Sequence, residues 1–220
     1  MEKNICFEWH NCKFVLSHLK CIFWENENAL LLSDVHLGKT NHFRKNGIAI
    51  SSNVADADYI NLELAINEFK PNKIIIIGDL FHSVYNKEVE IFGAWKQSFN
   101  HIEWILVKGN HDILGTKQFQ NLHLTIVDHL IINSIYLVHE TTKNLLLENK
   151  NYFFITGHIH PAVKVKLGVH TATLPCFFFT QQQLILPAFG KFTGLHTLKP
   201  QKNNQVFCIA NDSIIAYQKS

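Results

Sequence analysis

The sequence predicts an α/β (α+β) fold in which helices flank two β-sheets, organised as a single domain over residues 1–220. Apolar residues make up 47% of the chain and charged residues 17%, a composition typical of a globular protein with a sizeable core. The middle of the chain alternates strand and helix patterns, whereas short strand patterns dominate after residue 122. A length of 220 residues fits one domain.

The first part of the chain reads as an antiparallel meander that leads into a core strand. Four short runs rich in Val, Ile, Phe and Trp, separated by Asn and Glu, cover residues 6–9, 13–17, 20–24 and 29–33. A helix is predicted over residues 53–69, with Pro71 as its stop. Its apolar positions recur at mostly helical spacing: Val54, Ala57, Ile60, Leu64 and Phe69.

The middle of the chain follows α/β logic. Lys73–Ile77 is a continuous β-branched run, which is typical of a strand buried on both faces. A helix over residues 87–99 and a strand over 102–107 follow it. The second half is predicted as β, with strands over residues 124–127, 135–139, 152–156, 163–167, 171–179, 183–186, 205–209 and 213–217. We expect the aromatic run Phe177–Phe179 to be core.

Composition sets further expectations. No apolar run approaches the roughly 18 residues that cross a bilayer, and the first residues lack a signal-peptide core, so a cytoplasmic protein without a membrane segment is expected. The five cysteines include no C-x-x-C pair, which favours reduced, buried thiols. A formal charge of +2 does not by itself indicate a nucleic-acid binder, nor does it exclude a local basic groove.

Polar clusters follow five of the predicted strands. They cover residues 33–36 (Ser-Asp-Val-His), 78–82 (Gly-Asp-Leu-Phe-His), 109–112 (Gly-Asn-His-Asp), 137–139 (Leu-Val-His) and 156–160 (Thr-Gly-His-Ile-His). Each cluster alone is weak evidence for a functional site, because short motifs recur by chance. Ligands in α/β sheets gather beyond the carboxyl ends of strands, so the five together predict one site.

The order D-x-H, G-D-x-x-H, G-N-H-D, H, G-H-x-H resembles that of the calcineurin-like metallophosphoesterase superfamily from Asp34 to His160. Further phrases resemble the bacterial DNA ligase-associated metallophosphoesterases: Leu-Gly-Lys at 37–39, Phe-Arg at 43–44, Gly-Ile at 47–48, Pro-Ala-Val at 161–163, Leu-Pro-Cys-Phe at 174–177 and the stretch 186–194. The chain lacks the prolines expected after Ile48 and at Thr141. The resemblance implies a two-sheet metallophosphoesterase β-sandwich flanked by helices.

The resemblance also implies a ligand set for two divalent metal ions. One metal would be held by Asp34, His36 and His160, the other by Asn110, His139 and His158, with Asp79 bridging them. These mixed nitrogen and oxygen ligands suit Mn²⁺ or Fe²⁺ better than a closed tetrahedral Zn²⁺ site. The resemblance favours Mn²⁺, with Fe²⁺ and Zn²⁺ as alternatives.

Further residues are assigned to catalysis or to substrate. His111 is the predicted general acid, because it adjoins a ligand and has a suitable side chain, and Asp112 would orient its ring. His82 would contact phosphate or cap a helix. Lys39 and Arg44 are candidates for substrate binding; Arg44 is the one arginine beside 19 lysines, and a solvated loop charge is its alternative interpretation.

The leading functional hypothesis is a dinuclear-metal phosphodiesterase. The residues indicate the reaction class, since two metals can supply a nucleophile from water and clamp phosphate oxygens. The resemblance adds single-stranded DNA as substrate, an endonuclease or end-processing role in DNA repair, and a ligase, a helicase and an exonuclease as partners. The alternatives are a phosphodiesterase or pyrophosphatase for a small nucleotide, and a non-catalytic metal-binding scaffold, which the complete ligand set disfavours.

Overall fold

The structure is a computed structural model that describes residues 2–9, 11–37, 52–81, 87–167, 170–191 and 193–217. Within these residues the chain forms two packed β-sheets with helices beside them. The first sheet has seven strands in sequence order, and its last four run parallel. They are β1 (Asn4–Trp9), β2 (Cys12–Ser17), β3 (Cys21–Trp24), β4 (Ala29–Leu32), β5 (Lys73–Ile77), β6 (Glu103–Val107) and β7 (Thr125–Val127).

The second sheet has nine strands. They are β8 (Leu130–Ile132), β9 (Ile135–Leu137), β10 (Phe153–Thr156), β11 (Pro161–Leu167), β12 (His170–Phe179), β13 (Gln183–Ile185), β14 (His196–Thr197), β15 (Gln205–Ala210) and β16 (Ser213–Ala216). The order is β14-β11-β12-β13-β10-β9-β8, and β15 pairs with both β12 and β16. The strands β9, β10 and β13 are parallel to one another, as are the last four strands of the first sheet.

Helices pack on the outer face of the first sheet and form parts of the connections between strands. They are α1 (Ser52–Phe69), α2 (Lys87–Lys96), α3 (Thr116–Asn121) and α4 (Lys143–Glu148). Helix α1 ends where Lys70 adopts a left-handed conformation and donates its N–H to Ile66, directly before Pro71. The buried positions of α1 include Leu62, Ala65 and Ile66.

The apolar positions that predicted helix α1 are not all buried. Ile60 and Leu64 are 54% and 50% exposed. This segment has apolar residues on more than one face, so periodicity predicts the helix without deciding which face packs on the sheet.

Strand β5 shows how the layers are built. Ile74 and Ile76 pack under the helices, whereas Ile75 and Ile77 point between the two sheets, because successive side chains of a strand face opposite sides. From the second sheet, Phe177 and Phe179 enter the core between the sheets, and Phe178 faces the opposite layer. The prediction that this aromatic run is core is confirmed by its burial.

The predicted fold class is confirmed, with two sheets and flanking helices in one mixed α/β domain. Sequence patterns missed α3 and α4, which have six residues each and are too short to show a helical repeat. They also missed β8 and β14, with three and two residues. The cysteines are free thiols, and four of the five are buried, as expected. Among the residues described, no helix is both long and apolar enough to cross a membrane.

Candidate metal centre

The predicted polar clusters meet at one edge of the sandwich. Strands β4, β5 and β6 are parallel neighbours in the first sheet, and β9 and β10 are parallel neighbours in the second. The segments that leave the carboxyl ends of these five strands carry the five clusters. The two sheets thus bring ligand-type side chains together from both sides of one seam.

Six of these side chains form two compact groups. Within each group, the nitrogen and oxygen atoms that could bind an ion lie within 4.8 Å of one another. The first group is Asp34, His36 and His160, and the second is Asp79, His139 and His158. The groups separate the residues predicted for each metal in the same way, and Asp79, predicted as a bridge, lies with the second group.

Asp79 links its own group to the first one. Its Oδ1 accepts the backbone N–H of His111 at 2.9 Å. Its Oδ2 lies 3.7 Å from Nε2 of His36 and 3.4 Å from Nε2 of His139. One oxygen is therefore fixed by the backbone, while the other faces both groups.

Asp34 makes a second link. Its Oδ1 lies 3.1 Å from Nε2 of His160 and 3.9 Å from Nε2 of His139. The carboxylate accepts the backbone N–H of His158 at 3.0 and 3.2 Å from its two oxygens, and the residue is fully buried. A chain segment of the second sheet thus anchors a carboxylate of the first.

The histidine hydrogen bonds test whether this set fits a cation. Nδ1 of His139 contacts the carbonyl of Ile77 at 2.9 Å, and Nδ1 of His160 contacts the carbonyl of Gly194 at 3.0 Å. A carbonyl only accepts, so Nδ1 donates and Nε2 of the neutral ring keeps its lone pair. That lone pair faces a carboxylate oxygen in both cases, which is unfavourable unless a proton or a metal ion lies between. Metal-binding histidines usually make this outer hydrogen bond, so the donor set fits divalent metals.

The pKa values reflect the same electrostatics. Burial lowers the pKa of His139, but the adjacent Asp79 and Asp34 carboxylates outweigh it and raise this pKa to about 9. Burial raises the pKa of Asp79, but His139 and the N–H of His111 outweigh it and bring this pKa to about 2. Asp79 is therefore a carboxylate at neutral pH, and the site attracts positive charge.

Five of the six grouped residues have left-handed backbone conformations. The φ angles of Asp34, His36, Asp79, His158 and His160 are 53°, 50°, 55°, 67° and 53°. This region costs a residue with a Cβ roughly 1–2 kcal/mol. Such strain concentrates where the surrounding structure fixes side chains for a purpose, and the ligand segments match that pattern.

The glycines of two motifs have a packing explanation. A Cβ on Gly109 would collide with Asp79, and a Cβ on Gly157 would collide with Asp34 and Ser33. Gly109 lets the Asp79 carboxylate from the neighbouring strand segment lie against its Cα, and Gly157 does the same for the Asp34 carboxylate from the other sheet. The G of G-N-H-D and the G of G-H-x-H are therefore explained by close approach between the motifs.

Asp112 has a structural role that the sequence did not predict. It is fully buried, and its two oxygens accept the backbone N–H groups of Asp79, Leu80, Phe81 and Gly109 at 2.8 to 3.5 Å. The carboxylate thus ties the segment after β5 to the segment after β6. Burial raises its pKa, against the effect of these N–H donors. Its predicted role in orienting the His111 ring stays a prediction.

Glu140 was missed by sequence reasoning. Its Oε2 accepts a hydrogen bond from Nδ2 of Asn110 at 3.4 Å, and its Oε1 lies 3.6 Å from Nε2 of His158. An amide that donates through Nδ2 presents its Oδ1 elsewhere, so Glu140 orients the Asn110 oxygen. Its place directly after His139 was the signal available in the sequence.

The other predicted site residues fall into two sets. The ring of His111 lies beside that of His36, with centroids 5.5 Å apart, so this side chain is at the site. The three residues Lys39, Arg44 and His82 lie outside the described part of the chain. Their substrate roles stay predictions.

A segment after β13 joins the sheets beside the metal groups. Phe189 and Gly190 donate backbone N–H groups to the carbonyls of Ser33 and Asp34 at 2.9 and 3.1 Å. The next N–H, that of Lys191, donates to Asp58 of α1 at 2.9 Å. This is the stretch 186–194 noted in the sequence, and it holds the backbone that carries Asp34.

Comparison with known proteins agrees with this geometry. Residues 28–176, well over half of the chain, match the profile of the calcineurin-like phosphoesterase family. The crystal structure of nuclease MPE from Pseudomonas putida is similar to this chain with a TM-score of 0.81 and 24% identity, over 97% of this chain and 100% of that one. The phosphoesterase Yfce from E. coli is 17% identical over 86% of this chain and 96% of its own, with a TM-score of 0.44. No curated protein sequence matches significantly. The chain belongs to the calcineurin-like phosphoesterase family and is a metal-dependent phosphoesterase.

Proposed function

We propose that this protein is a dinuclear-metal phosphodiesterase that hydrolyses phosphodiester bonds in nucleic acid, with single-stranded DNA as its substrate. The observation that carries the proposal is the position of Asp79 Oδ2, which faces a histidine of each ligand group at 3.4 and 3.7 Å. Two metals sharing this carboxylate would supply the charge stabilisation that in-line displacement at phosphorus requires.

The residues divide between the two metals as follows. Asp34, His36 and His160 would hold one metal, Asn110, His139 and His158 would hold the other, and the Asp79 carboxylate would serve both. When bound, the metals act as Lewis acids that neutralise phosphate oxygens and lower the pKa of water. The hydrogen bonds from Nδ1 of His139 and of His160 to backbone carbonyls fix both rings, so the rings need not reorient during turnover.

His111 supplies the remaining chemistry. A departing alkoxide needs a proton, and an imidazole beside the first ligand group can give one. The backbone N–H of His111 is bonded to the bridging carboxylate, so the position of this residue is coupled to the metal site. Asp112 holds the two backbone segments on which Asp79 and His111 stand.

The choice of nucleic acid rests on likeness. The whole length of the chain resembles a protein described as a nuclease, and the sequence motifs resemble the ligase-associated branch of the family. We extend the proposal to Mn²⁺ as the native metal, to a repair role in the cytoplasm alongside a DNA ligase, a helicase and an exonuclease, and to phosphate contacts by Lys39, Arg44 and His82.

A substrate and metal panel tests the proposal. The purified protein is incubated with labelled single-stranded and double-stranded DNA, a cyclic nucleotide and bis-p-nitrophenyl phosphate, each with Mn²⁺, Fe²⁺, Mg²⁺, Zn²⁺ or no added metal. We expect metal-dependent cleavage of single-stranded DNA, fastest with Mn²⁺. Asp79→Asn, which keeps the shape but removes the charge, is the matched inactive control. Hydrolysis of the small substrates without DNA cleavage would support the small-nucleotide alternative, and two bound metals without any hydrolysis would support the scaffold.

A further inference from the structure

One region of the chain carries positive charge alone. All 18 Asp and Glu residues lie outside the stretch from Asn149 to Asn211. That stretch contains six lysines: Lys150, Lys164, Lys166, Lys191, Lys199 and Lys202. The modest charge of the whole chain therefore conceals a basic region in the second sheet, and polyanions bind to such regions through their charge.

Part of this charge is arranged on strand β11. Lys164 and Lys166 are two residues apart, so they share a face of the strand. Their partners on β12 are Thr173 and Thr171, and all four side chains are exposed. Among the residues that the structure describes, no carboxylate lies within ion-pair distance of these lysines. The face presents unneutralised ammonium groups and hydroxyl donors, which are phosphate-binding groups.

A cavity adjoins this strand. It has a volume of about 610 Å³ and is lined by Lys164, Thr197, Leu198, Lys199, Pro200, Gln201 and Tyr217. We refer to it as the Lys164–Lys199 cavity. It combines two cations with one aromatic ring, the pairing with which proteins bind single-stranded nucleic acid.

The segment that lines the cavity begins close to the candidate metal centre. The N–H of His196 donates to the carbonyl of His160 at 2.9 Å, and the N–H of Leu198 donates to that of Ala162 at 2.8 Å. The segment that lines the cavity therefore starts beside a residue of the first ligand group. Lys164 is four residues along β11 from His160, which is about 13 Å at 3.3 Å per residue. A nucleic acid strand spans this distance within a few nucleotides.

We propose that the Lys164–Lys199 cavity is a subsite for single-stranded nucleic acid, into which the strand passes after crossing the metal centre along β11. Lys164 and Lys199 contact its phosphates, and a base stacks on Tyr217. This inference rests on the proposed function and adds a location for the strand beyond the phosphate that is cleaved. It also separates long substrates from small ones, since a small diester occupies the metal centre without reaching the cavity.

The first test compares a long and a short substrate. We would measure kcat/KM of Lys164→Gln/Lys199→Gln on a labelled oligothymidylate of about 16 nucleotides and on bis-p-nitrophenyl phosphate. The ratio of the two is expected to fall about tenfold from the wild-type value. Lys13→Gln/Lys150→Gln is the matched control, because both lysines are exposed and lie at the opposite ends of the strands from the ligand groups. An equal fall in this control, or an unchanged ratio in the test variant, overturns the proposal.

The second test is equilibrium binding of the same oligonucleotide in EDTA, followed by fluorescence anisotropy at several salt concentrations. Each lost phosphate contact lowers the slope of log K against log salt by about 0.7, so the double variant is expected to lose about 1.4. Tyr217→Leu is expected to weaken binding at least about fivefold, whereas Tyr217→Phe keeps the wild-type affinity. An unchanged slope with wild-type affinity in both Tyr217 variants contradicts the proposal.

These readouts separate the proposal from the function on which it rests. If wild-type protein hydrolyses no substrate with any metal, the proposed function fails, while the binding titration still reports on the cavity. An anionic lipid surface is the other polyanion that the lysines could bind, and cosedimentation with vesicles of phosphatidylcholine and phosphatidylserine measures such binding. If the lysine variant loses vesicle binding and keeps oligonucleotide binding, the cavity serves a lipid surface and the proposal is wrong.

Discussion

The two sheets contribute different chemistry to the metal centre. The first sheet supplies both carboxylates of the ligand groups, Asp34 and Asp79, together with His36. The second sheet supplies the remaining imidazoles, those of His139, His158 and His160. Carboxylates therefore come from one side of the seam and imidazoles come mainly from the other. Neither sheet alone contains a complete group, so the site exists only when the sandwich is assembled.

This difference has an energetic consequence. Removing a carboxylate removes the charge that opposes repulsion between two cations, whereas removing an imidazole removes one neutral bond. Variants of the two carboxylates should therefore affect both metals, and variants of an imidazole should affect mainly one.

Asp79→Ala should abolish turnover, with a loss of at least about a thousandfold, and should lower the content of both metals. The physical reason is that the oxygen facing both ligand groups is removed. Elemental analysis and kcat with saturating Mn²⁺ measure the two effects. His158→Ala is the matched variant from the second sheet and should retain close to one metal per chain. Two bound metals and near-normal turnover in Asp79→Ala would contradict the assignment of Asp79 as the bridging carboxylate.

His111→Ala should keep both metals and lose roughly a hundredfold in rate on diesters with alkyl leaving groups. The loss should be small on nitrophenyl esters, because nitrophenolate departs without a proton. Parallel kinetics on the two substrate types with metal analysis provide the measurement. Equal losses on both would mean that His111 stabilises phosphate charge and does not act as the acid.

Glu140→Gln should weaken binding of one metal about tenfold and leave the other unchanged. The carboxylate orients Asn110 and lies beside His158, both assigned to the same metal, and outer contacts of this kind typically contribute ten- to a hundredfold to metal affinity. Calorimetric titration of metal-free protein with Mn²⁺ separates the two affinities. Glu148→Gln, an exposed glutamate at the end of α4, is the control. Identical isotherms for the Glu140 variant and wild type would assign Glu140 no part in metal binding.

Asp58→Asn should leave turnover unchanged and alter the pH dependence of stability. Asp58 joins α1 to the segment that holds the Asp34 backbone. Burial raises its pKa from 3.8 to about 6, against the effects of the Lys191 N–H and of Lys20. Because the folded pKa is the higher one, its contribution is complete below about pH 4 and is lost as pH rises through 6, by at most about 3 kcal/mol.

The asparagine variant cannot ionise and can still accept the Lys191 N–H. Its free energy of unfolding relative to wild type should therefore increase between pH 4 and pH 8. Urea unfolding of both proteins at several pH values measures the difference, and effects of other titrating groups cancel in the comparison. A difference that does not vary with pH would show that Asp58 is not held in a desolvated state.

Sequence alone predicted the fold class, which is confirmed, and the side-chain types that gather at one edge. The β-branched run of β5, the alternation in the middle of the chain and the polar residues at five strand ends depend on local properties, namely side-chain shape and periodicity. These properties can be recognised in the sequence without knowledge of the tertiary contacts. The clusters could be assigned to one edge because parallel strands end at the same side of a sheet.

Tertiary structure decided how the pieces meet. The packed face of α1 depends on the sheet beneath it, since Leu62 and Ile66 are buried while Ile60 and Leu64 are exposed. The role of Asp112 depends on N–H groups up to 33 residues away, and the contact of Glu140 with Asn110 crosses from one sheet to the other. The left-handed backbone of the ligand segments is strain that local propensity disfavours and that packing of the whole site maintains. These features arise from long-range contacts, which a pattern of neighbouring residues does not contain.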